Sequence, residues 1–218
     1  MSSKYPCGKD YEVMYKRFFS RPVTDLIDLV KLAPYSRVLD LCGGTGRLSL
    51  EMHKRGHHVT YIDESKDMAC LDEIRLSGNM FILHERAGIY LYCYPRDAEK
   101  YDAVFCQQAI NYWFHPLEVD KIVGVINPGG YFVFNTFRDK PSTVPVVKEY
   151  DIDGRHYVEV YYSIGDKVHH VQVCEGYDVH TTEFNYISHE IFMTSLLPYF
   201  DIDLTTKDKT MIYKCKKK

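Results

Sequence analysis

Two carboxylates and a glycine-rich turn stand where a ligand could be bound. Asp40 closes a short apolar run and is followed by Gly44 and Gly46. Glycines in such a turn let the backbone approach a ligand closely, because no β-carbon occupies the space. Asp63 lies at the end of the next apolar run, where a carboxylate can accept hydrogen bonds from both hydroxyls of a ribose. The pattern predicts an adenosine-containing ligand.

The carboxylate of Asp40 distinguishes two classes of adenosine ligand. It would repel the pyrophosphate of a nicotinamide cofactor and attract the ammonium group of an amino acid. S-adenosylmethionine (SAM) carries that ammonium and no phosphate. The stretch Cys42 to Gly46 also departs from the GxGxxG pattern of dinucleotide sites. We therefore expect SAM, and a nicotinamide oxidoreductase is the disfavoured alternative.

The segments around these residues alternate between two patterns. Short apolar runs predict strands at 37–41, 58–62, 80–84, 101–106 and 131–136. Helical spacing predicts helices at 20–33, 47–55, 65–76 and 116–126, with a turn at 127–130. Strands separated by helices indicate a parallel sheet. We predict an α/β fold, a Rossmann-like, seven-stranded, mostly parallel sheet with helices on both faces.

The pattern changes at Val146, where β-branched and aromatic residues cluster between turn signals at 151–154 and 165–166. This predicts an antiparallel β addition of three or four strands after strand 5. A last helix at 188–197 and a terminal strand pair at 200–204 and 210–214 follow. We expect a single domain over 1–218, divided into an N-terminal helical segment (1–35), a binding core (36–136), the β insertion (146–187) and the last helix and strands (188–218).

Composition excludes several classes of protein. The 218 residues carry a net charge of −3, which makes nucleic acid an unlikely partner. No apolar stretch is long enough to cross a membrane, and the polar N-terminus has no signal core. The seven cysteines form no CxxC pair, and the ten histidines show no paired spacing. We expect a cytoplasmic globular protein without a metal, as a monomer or homodimer.

The segments VLDLCGGTG and YIDES resemble the signature of class I SAM-dependent methyltransferases, in which an acidic residue and a GxG turn precede an acidic residue ending the second strand. The resemblance covers roughly residues 10–136 and includes NPGGYFVFNTF, which looks like the fifth-strand motif of the family. It implies SAM as the cofactor and S-adenosylhomocysteine (SAH) as the product. The later β addition resembles the lids of small-molecule N- and O-methyltransferases.

The resemblance also implies roles for individual residues. Asp40, Gly44 and Gly46 would surround the methionine part of SAM, Asp63 would hold the ribose, and Met68 would flank the adenine. Cys106 and Gln107, at the end of the fourth strand, would face the methionine part. In similar small-molecule methyltransferases an N-terminal helix with tyrosines closes over SAM. Tyr11 and Tyr15 share one helix face, so residues 1–35 would form such a lid, although simple packing is an equal alternative.

The acceptor is expected at the carboxyl edge of the sheet, where open α/β folds bind ligands. Asn111, Tyr112 and Trp113 follow the fourth strand there and would contact it. His115 would take a proton from an amine or hydroxyl, with a surface or capping histidine as the alternative. The aromatic residues of the addition would roof this pocket or form a dimer interface: Tyr157, Tyr161, Tyr162, Tyr177, Phe184 and Tyr186.

The predicted function is methyl transfer from SAM to a nitrogen or oxygen of a small-molecule acceptor. An RNA or protein methyltransferase is one alternative, which the acidic net charge disfavours. A non-catalytic SAM-binding partner subunit is another, because residues that bind SAM do not by themselves establish turnover.

Overall fold

Two sheets and the helices around them form the part of the chain that the computed structural model describes, residues 11–12, 23–69, 80–152, 154–174, 179–207 and 209–218. The strands are β1 (Arg37–Leu41), β2 (His58–Ile62), β3 (Met80–Leu83), β4 (Tyr101–Cys106), β5 (Ile126–Phe137), β6 (Val146–Ile152), β7 (Arg155–Ile164), β8 (Lys167–Cys174), β9 (His180–Asn185), β10 (Phe200–Lys207) and β11 (Thr210–Lys217). The helices are α1 (Thr24–Ile27), α2 (Arg47–Lys54), α3 (Ala87–Cys93), α4 (Ile110–Trp113), α5 (Val119–Val125), which follows a 3-10 turn at Pro116–Glu118, and α6 (His189–Leu196).

The larger sheet has seven strands in the order β10-β11-β5-β4-β1-β2-β3. Strands β1 to β5 pair in parallel, and β11 runs antiparallel to both β5 and β10. The predicted mostly parallel, seven-stranded sheet is confirmed. Because β1 pairs with β2 on one side and β4 on the other, the strand order reverses at β1. Such a switch point opens a crevice at the carboxyl ends of the strands.

Both faces of this sheet are covered by helices. On one face Val38 of β1 packs in a cluster with Leu26 of α1 and Met52 of α2. On the other face the next residue, Leu39, packs in a cluster with residues of α3, α5 and α6, among them Leu91, Ile122 and Phe192. Successive side chains of a strand point to opposite faces, so a strand covered on both sides is apolar throughout apart from functional positions.

The smaller sheet is an antiparallel meander in the order β6-β7-β8-β9. Its first two hairpins turn between Ile152 and Arg155 and between Ile164 and Lys167, where the sequence predicts them. Phe184 of β9 contacts the ring of Tyr112 in α4, with the ring centroids 5.0 Å apart. The smaller sheet therefore packs against the helix that follows β4, at the carboxyl edge of the larger sheet.

Several predicted boundaries are wrong. Helix α1 ends at Ile27, whereas the predicted helix continued to residue 33. After Ile27 the backbone hydrogen bonds join residue i to residue i−3, as from Val30 N to Ile27 O, so the chain forms turns and not a further α-helical turn. The predicted helix 65–76 lies largely outside the described residues, and residues 66–68 form a turn. The predicted turn at 127–130 belongs to β5, whose pairing with β4 shifts register there. Helices α3 and α4 were not predicted.

No helix in the described ranges has both the length and the apolar character needed to span a membrane.

Candidate cofactor and acceptor site

The glycine loop is shaped by its attachment to β2 and by left-handed backbone conformations. The N–H of Gly43 donates to the carbonyl of Ile62 over 3.0 Å. Gly44 and Gly46 have φ angles of +57° and +85°, a region that L side chains rarely adopt. A β-carbon at Gly43 would lie 2.5 Å from the ring of Tyr61. The loop therefore needs its glycines both for backbone conformation and for close packing.

Asp40 is a buried carboxylate with one unsatisfied oxygen. Its side chain is 1% exposed, and its Oδ2 accepts a hydrogen bond of 2.7 Å from Ser49 Oγ. Its Oδ1 has no hydrogen-bond partner among the described residues. Burial raises the pKa of Asp40 to about 7, the hydrogen bond from Ser49 opposes this shift, and the charge of Asp63 adds to it. An ammonium group would supply the missing partner, so the site fits the amino-acid end of SAM.

Asp63 follows β2 directly and joins the glycine loop to the next turn. Its Oδ2 accepts from Gly44 N and its Oδ1 from Ser65 N, each over 2.9 Å. Burial raises the pKa of Asp63, and these two hydrogen bonds lower it. A carboxylate has about four acceptor positions, so two remain for the hydroxyls of a ribose. Met68, 6% exposed, places its Cε 3.8 Å from the position of a β-carbon on Gly44.

Cys106 ends β4 beside the glycine loop. Its thiol hydrogen-bonds with that of Cys42, which together with burial raises the pKa of Cys42; the charges of Asp63 and Asp40 contribute as well. Gln107 follows as a half-buried residue. The ends of β1, β2 and β4 thus bring most of the predicted cofactor residues into one crevice. Their roles toward SAM stay predictions.

Tyr11 lies close to the same crevice. Burial raises its pKa, as do interactions with Tyr112, Glu159 and Asp63. Such interactions act over short distances, so this phenol stands near α4, the smaller sheet and the second cofactor carboxylate at once. Tyr15 and most of the predicted lid, 1–35, lie outside the described residues.

The side chain of Asn111 links α4 to β5 and to β9 through hydrogen bonds. Its Oδ1 accepts a hydrogen bond of 2.6 Å from Thr136 Oγ1 of β5, and its Nδ2 donates to the carbonyl of Asn185 over 2.9 Å. The side chain is 4% exposed. Its amide therefore holds the smaller sheet at the carboxyl edge of the larger one, an arrangement that suits positioning better than contact with an acceptor.

The other residues of α4 face different surroundings. Tyr112 is 39% exposed and contacts the smaller sheet through Phe184. Burial of its hydroxyl raises the pKa of Tyr112. Trp113 packs against the apolar cluster on the α5 and α6 face, and its buried Nε1 has no hydrogen-bond partner among the described residues. Tyr112 is thus the α4 side chain best placed to meet an acceptor.

His115 occupies a cap. It is exposed, and its Nδ1 accepts a hydrogen bond of 3.3 Å from the N–H of Leu117 at the start of the 3-10 turn. This placement favours the capping alternative. Proton transfer by His115 stays a prediction.

The inner face of the smaller sheet carries a residue that the sequence prediction missed. Glu159 is 3% exposed and contacts Tyr161 and His170. The signal in the sequence was its alternation with Tyr157 and Tyr161, which places a carboxylate on the packed side of β7. Of the predicted roof residues, Tyr157 and Phe184 are buried on this inner side, Tyr162 stacks on His169, and Tyr177 lies outside the described residues.

A cavity of about 810 Å³ lies elsewhere, at the opposite edge of the larger sheet. It is lined by Arg37 and His58, the first residues of β1 and β2, and by Tyr94 and Tyr101. Since Asp40 and Asp63 stand at the other ends of those strands, this cavity is separate from the cofactor crevice.

The fold and the crevice together define the class I SAM-dependent methyltransferase architecture. Residues 38–130 match the family model described as a methyltransferase domain. Among solved structures, a SAM-dependent methyltransferase from Clostridium acetobutylicum has a TM-score of 0.72 at 17% identity, covering 97% of this chain and 99% of that one. A SAM-bound amino pentose methyltransferase from Micromonospora echinaspora has a TM-score of 0.72 at 15% identity, covering 95% and 96%. At these identities the likeness establishes the fold.

Curated sequences agree with this class. Demethylmenaquinone methyltransferase from Clavibacter sepedonicus is 32% identical over 120 residues, which are 53% of this chain and 46% of the relative. An uncharacterized methyltransferase of Mycobacterium tuberculosis is 31% identical over 115 residues, 51% of this chain and 45% of the relative. The chain thus matches just under half the length of these relatives. The comparisons confirm the predicted superfamily and support SAM as its cofactor.

Proposed function

We propose that this chain transfers a methyl group from SAM to a nitrogen or oxygen of a small molecule. The observation that carries the proposal is the position of the smaller sheet. Its inner face packs against α4, at the edge where Asp40 lies near the end of β1 and Asp63 follows β2. Buried polar residues lie on that face, among them Ser163, Gln172 and Thr182, and such residues suit a small polar acceptor better than a nucleic acid.

The protein's own part in this reaction is alignment. When bound, SAM supplies a methyl group already activated on a sulfonium sulfur. Asp40 would hold its ammonium group, Asp63 its ribose hydroxyls, and the backbone at Gly44 would approach it closely. Positioning of this kind contributes up to roughly 7–11 kcal/mol to a reaction between two bound groups. The protein therefore needs no covalent nucleophile.

Two of the similar proteins support a small-molecule acceptor, since their names refer to an amino pentose and to demethylmenaquinone.

The proposal includes a single methyltransferase domain acting in the cytoplasm. Free cysteines at positions 42, 93, 106 and 215 among the described residues agree with a reducing compartment.

The test is transfer of label from methyl-labelled SAM to three separate pools: small amines and alcohols, total RNA, and denatured protein. We expect label in the small-molecule pool alone. Label in RNA or protein would favour the macromolecular alternative. SAM binding without transfer to any pool would favour a non-catalytic partner subunit.

A further inference from the structure

The cavity at the amino ends of β1 and β2 is rich in aromatic rings. Its volume of about 810 Å³ lies within the range of small-molecule sites in proteins. Arg37 at its wall and Asp40 in the cofactor crevice are separated by about 10 Å along β1. A ligand in this cavity would therefore lie apart from the methyl donor. Five phenyl or phenol rings and one imidazole belong to its lining, those of Tyr35, His58, Phe81, Tyr90, Tyr94 and Tyr101.

Two of these rings are exposed to solvent. Phe81 lies on the edge strand β3 and is 61% exposed. Tyr35 is 73% exposed, and the centroid of its ring lies 6.4 Å from that of His58. Exposed apolar surface that is concentrated in one place commonly marks a binding site. The two rings thus offer surface that a ligand in the cavity could cover.

The backbone holds Tyr35 in a conformation that a tyrosine rarely adopts. Residues 33–36 form a turn closed by a hydrogen bond of 3.3 Å from Ser36 N to the carbonyl of Ala33. Tyr35 is the third residue of this turn and has a φ of +60°, which glycine or asparagine ordinarily provides there. A bulky residue in this region is strained, and strained residues cluster at ligand sites. The turn itself does not favour a tyrosine, so its side chain is the reason for its presence.

The inner wall of the cavity carries a chain of hydroxyl groups. Tyr101 donates a hydrogen bond of 3.1 Å to Thr60 Oγ1, and the hydroxyl oxygens of Tyr90 and Tyr101 are 2.6 Å apart. Because a phenol has one hydrogen, Tyr90 is the donor to Tyr101. Burial, and then the hydrogen bond with Tyr101, raise the pKa of Tyr90, so its hydroxyl stays protonated at neutral pH. Among the described hydrogen bonds of this chain, the hydrogen of Thr60 and an acceptor position on Tyr90 stay unused.

The charges at the cavity favour a neutral ligand. Arg37 lines the cavity, and its guanidinium forms an ion pair with Glu99, which also belongs to the lining. A further anion would compete with Glu99 for Arg37, and a cation would compete with Arg37 for Glu99. An uncharged molecule leaves this ion pair intact.

We propose that this cavity is a second small-molecule site, which binds a neutral, planar aromatic molecule that carries a hydroxyl group. The ring of the ligand would lie against Tyr35 and Phe81, since aromatic pairs attract each other beyond the area that they bury. Its hydroxyl would accept a hydrogen bond from Thr60 and donate one to Tyr90. The site is independent of methyl transfer, because it lies at the opposite ends of the strands from Asp40.

Calorimetric titration with 2-naphthol tests the site, and the saturated analogue decahydro-2-naphthol distinguishes aromatic recognition from burial of apolar area. Both probes are uncharged at neutral pH. The variants are Tyr35→Ala and Thr60→Val, with Tyr92→Ala as the control. Tyr92 is 74% exposed, which matches Tyr35, and is not among the described residues that line the cavity. Circular dichroism verifies that each variant is folded, and each titration is repeated with SAH present to detect binding in the cofactor crevice.

We expect wild type and Tyr92→Ala to bind 2-naphthol more tightly than its saturated analogue, with affinities unchanged by SAH. Tyr35→Ala and Thr60→Val should each bind 2-naphthol about three- to tenfold more weakly, because they lose a ring contact and a hydrogen bond respectively. Absence of 2-naphthol binding to the wild type, equal binding of the two probes, or affinity unchanged in Tyr35→Ala or in Thr60→Val would overturn the proposal. Displacement of 2-naphthol by SAH would also overturn it, since the probe would then occupy the cofactor crevice.

Discussion

The backbone N–H of Gly44 donates a hydrogen bond of 2.9 Å to Oδ2 of Asp63. This contact joins the loop after β1 to the residue after β2, so the two halves of the cofactor crevice form one unit. A change at either residue is therefore expected to affect binding at both.

Gly44→Ala tests the conformation of the loop. A β-carbon in the left-handed region costs about 1–2 kcal/mol, so we expect a lower melting temperature. We also expect SAH binding to weaken, because the backbone at this position must approach the ligand closely. Gly165→Ala is the matched control, since its φ of +56° nearly equals the +57° of Gly44 but its hairpin lies away from the crevice. Equal SAH affinity in the two variants would argue against a role for Gly44 in binding.

The pKa of Asp40, raised to about 7, predicts a pH dependence of cofactor binding. Only the ionised carboxylate attracts an ammonium group, so SAH affinity is expected to rise as the pH rises toward 7 and then to level off. Below the pKa the rise approaches about tenfold per pH unit. Calorimetry across this range measures it, and Asp40→Asn should remove it.

Ser49→Ala provides the control for that dependence. It removes the hydrogen bond that lowers the pKa of Asp40, so the midpoint should move to higher pH. A midpoint that is the same in wild type, Ser49→Ala and Asp40→Asn would show that another group titrates.

Asn111→Ala is expected to loosen the smaller sheet. It leaves Thr136 Oγ1 and the carbonyl of Asn185 without the partners seen here, and the loss of buried hydrogen bonds lowers the free energy of unfolding by about 1–3 kcal/mol each. Urea unfolding measures the loss. Asn185→Ala is a matched control because its exposed side chain is not the group that binds Asn111. Similar stability of both variants would contradict this role.

The lowered pKa of Glu159 predicts a stability that depends on pH. Between pH 4.5, the usual pKa of a glutamate, and about pH 2, the unfolded state binds more protons than the folded state. The stabilisation by ionised Glu159 is therefore complete above about pH 4.5 and is lost as the pH falls toward 2. The shift corresponds to about 3 kcal/mol. Urea unfolding at pH 5 and below should show a shallower loss in Glu159→Gln than in wild type. An identical slope would mean that the hydrogen bonds do not stabilise the anion.

Strands β1, β2 and β4, which place Asp40, Asp63 and Cys106, were predictable because buried parallel strands are continuous apolar runs that end at the crevice. Helices α3 and α4 could not be predicted, because they are short and neither begins with a side-chain cap. Glu159 was missed for a different reason. Its surroundings come from pairing with β6 and β8 and from packing against α4, whereas a lone glutamate in a strand ordinarily faces solvent.

The central claim is that the crevice binds SAM through Asp63 and its neighbours. Calorimetric titration with SAM, SAH and NAD tests it on wild type, Asp63→Ala and the control Asp67→Ala, an exposed residue in the following turn. We predict micromolar binding of SAM and SAH to wild type and Asp67→Ala, strong loss in Asp63→Ala, and no binding of NAD. Absence of SAM and SAH binding to the wild type, or binding unchanged in Asp63→Ala, would contradict the account.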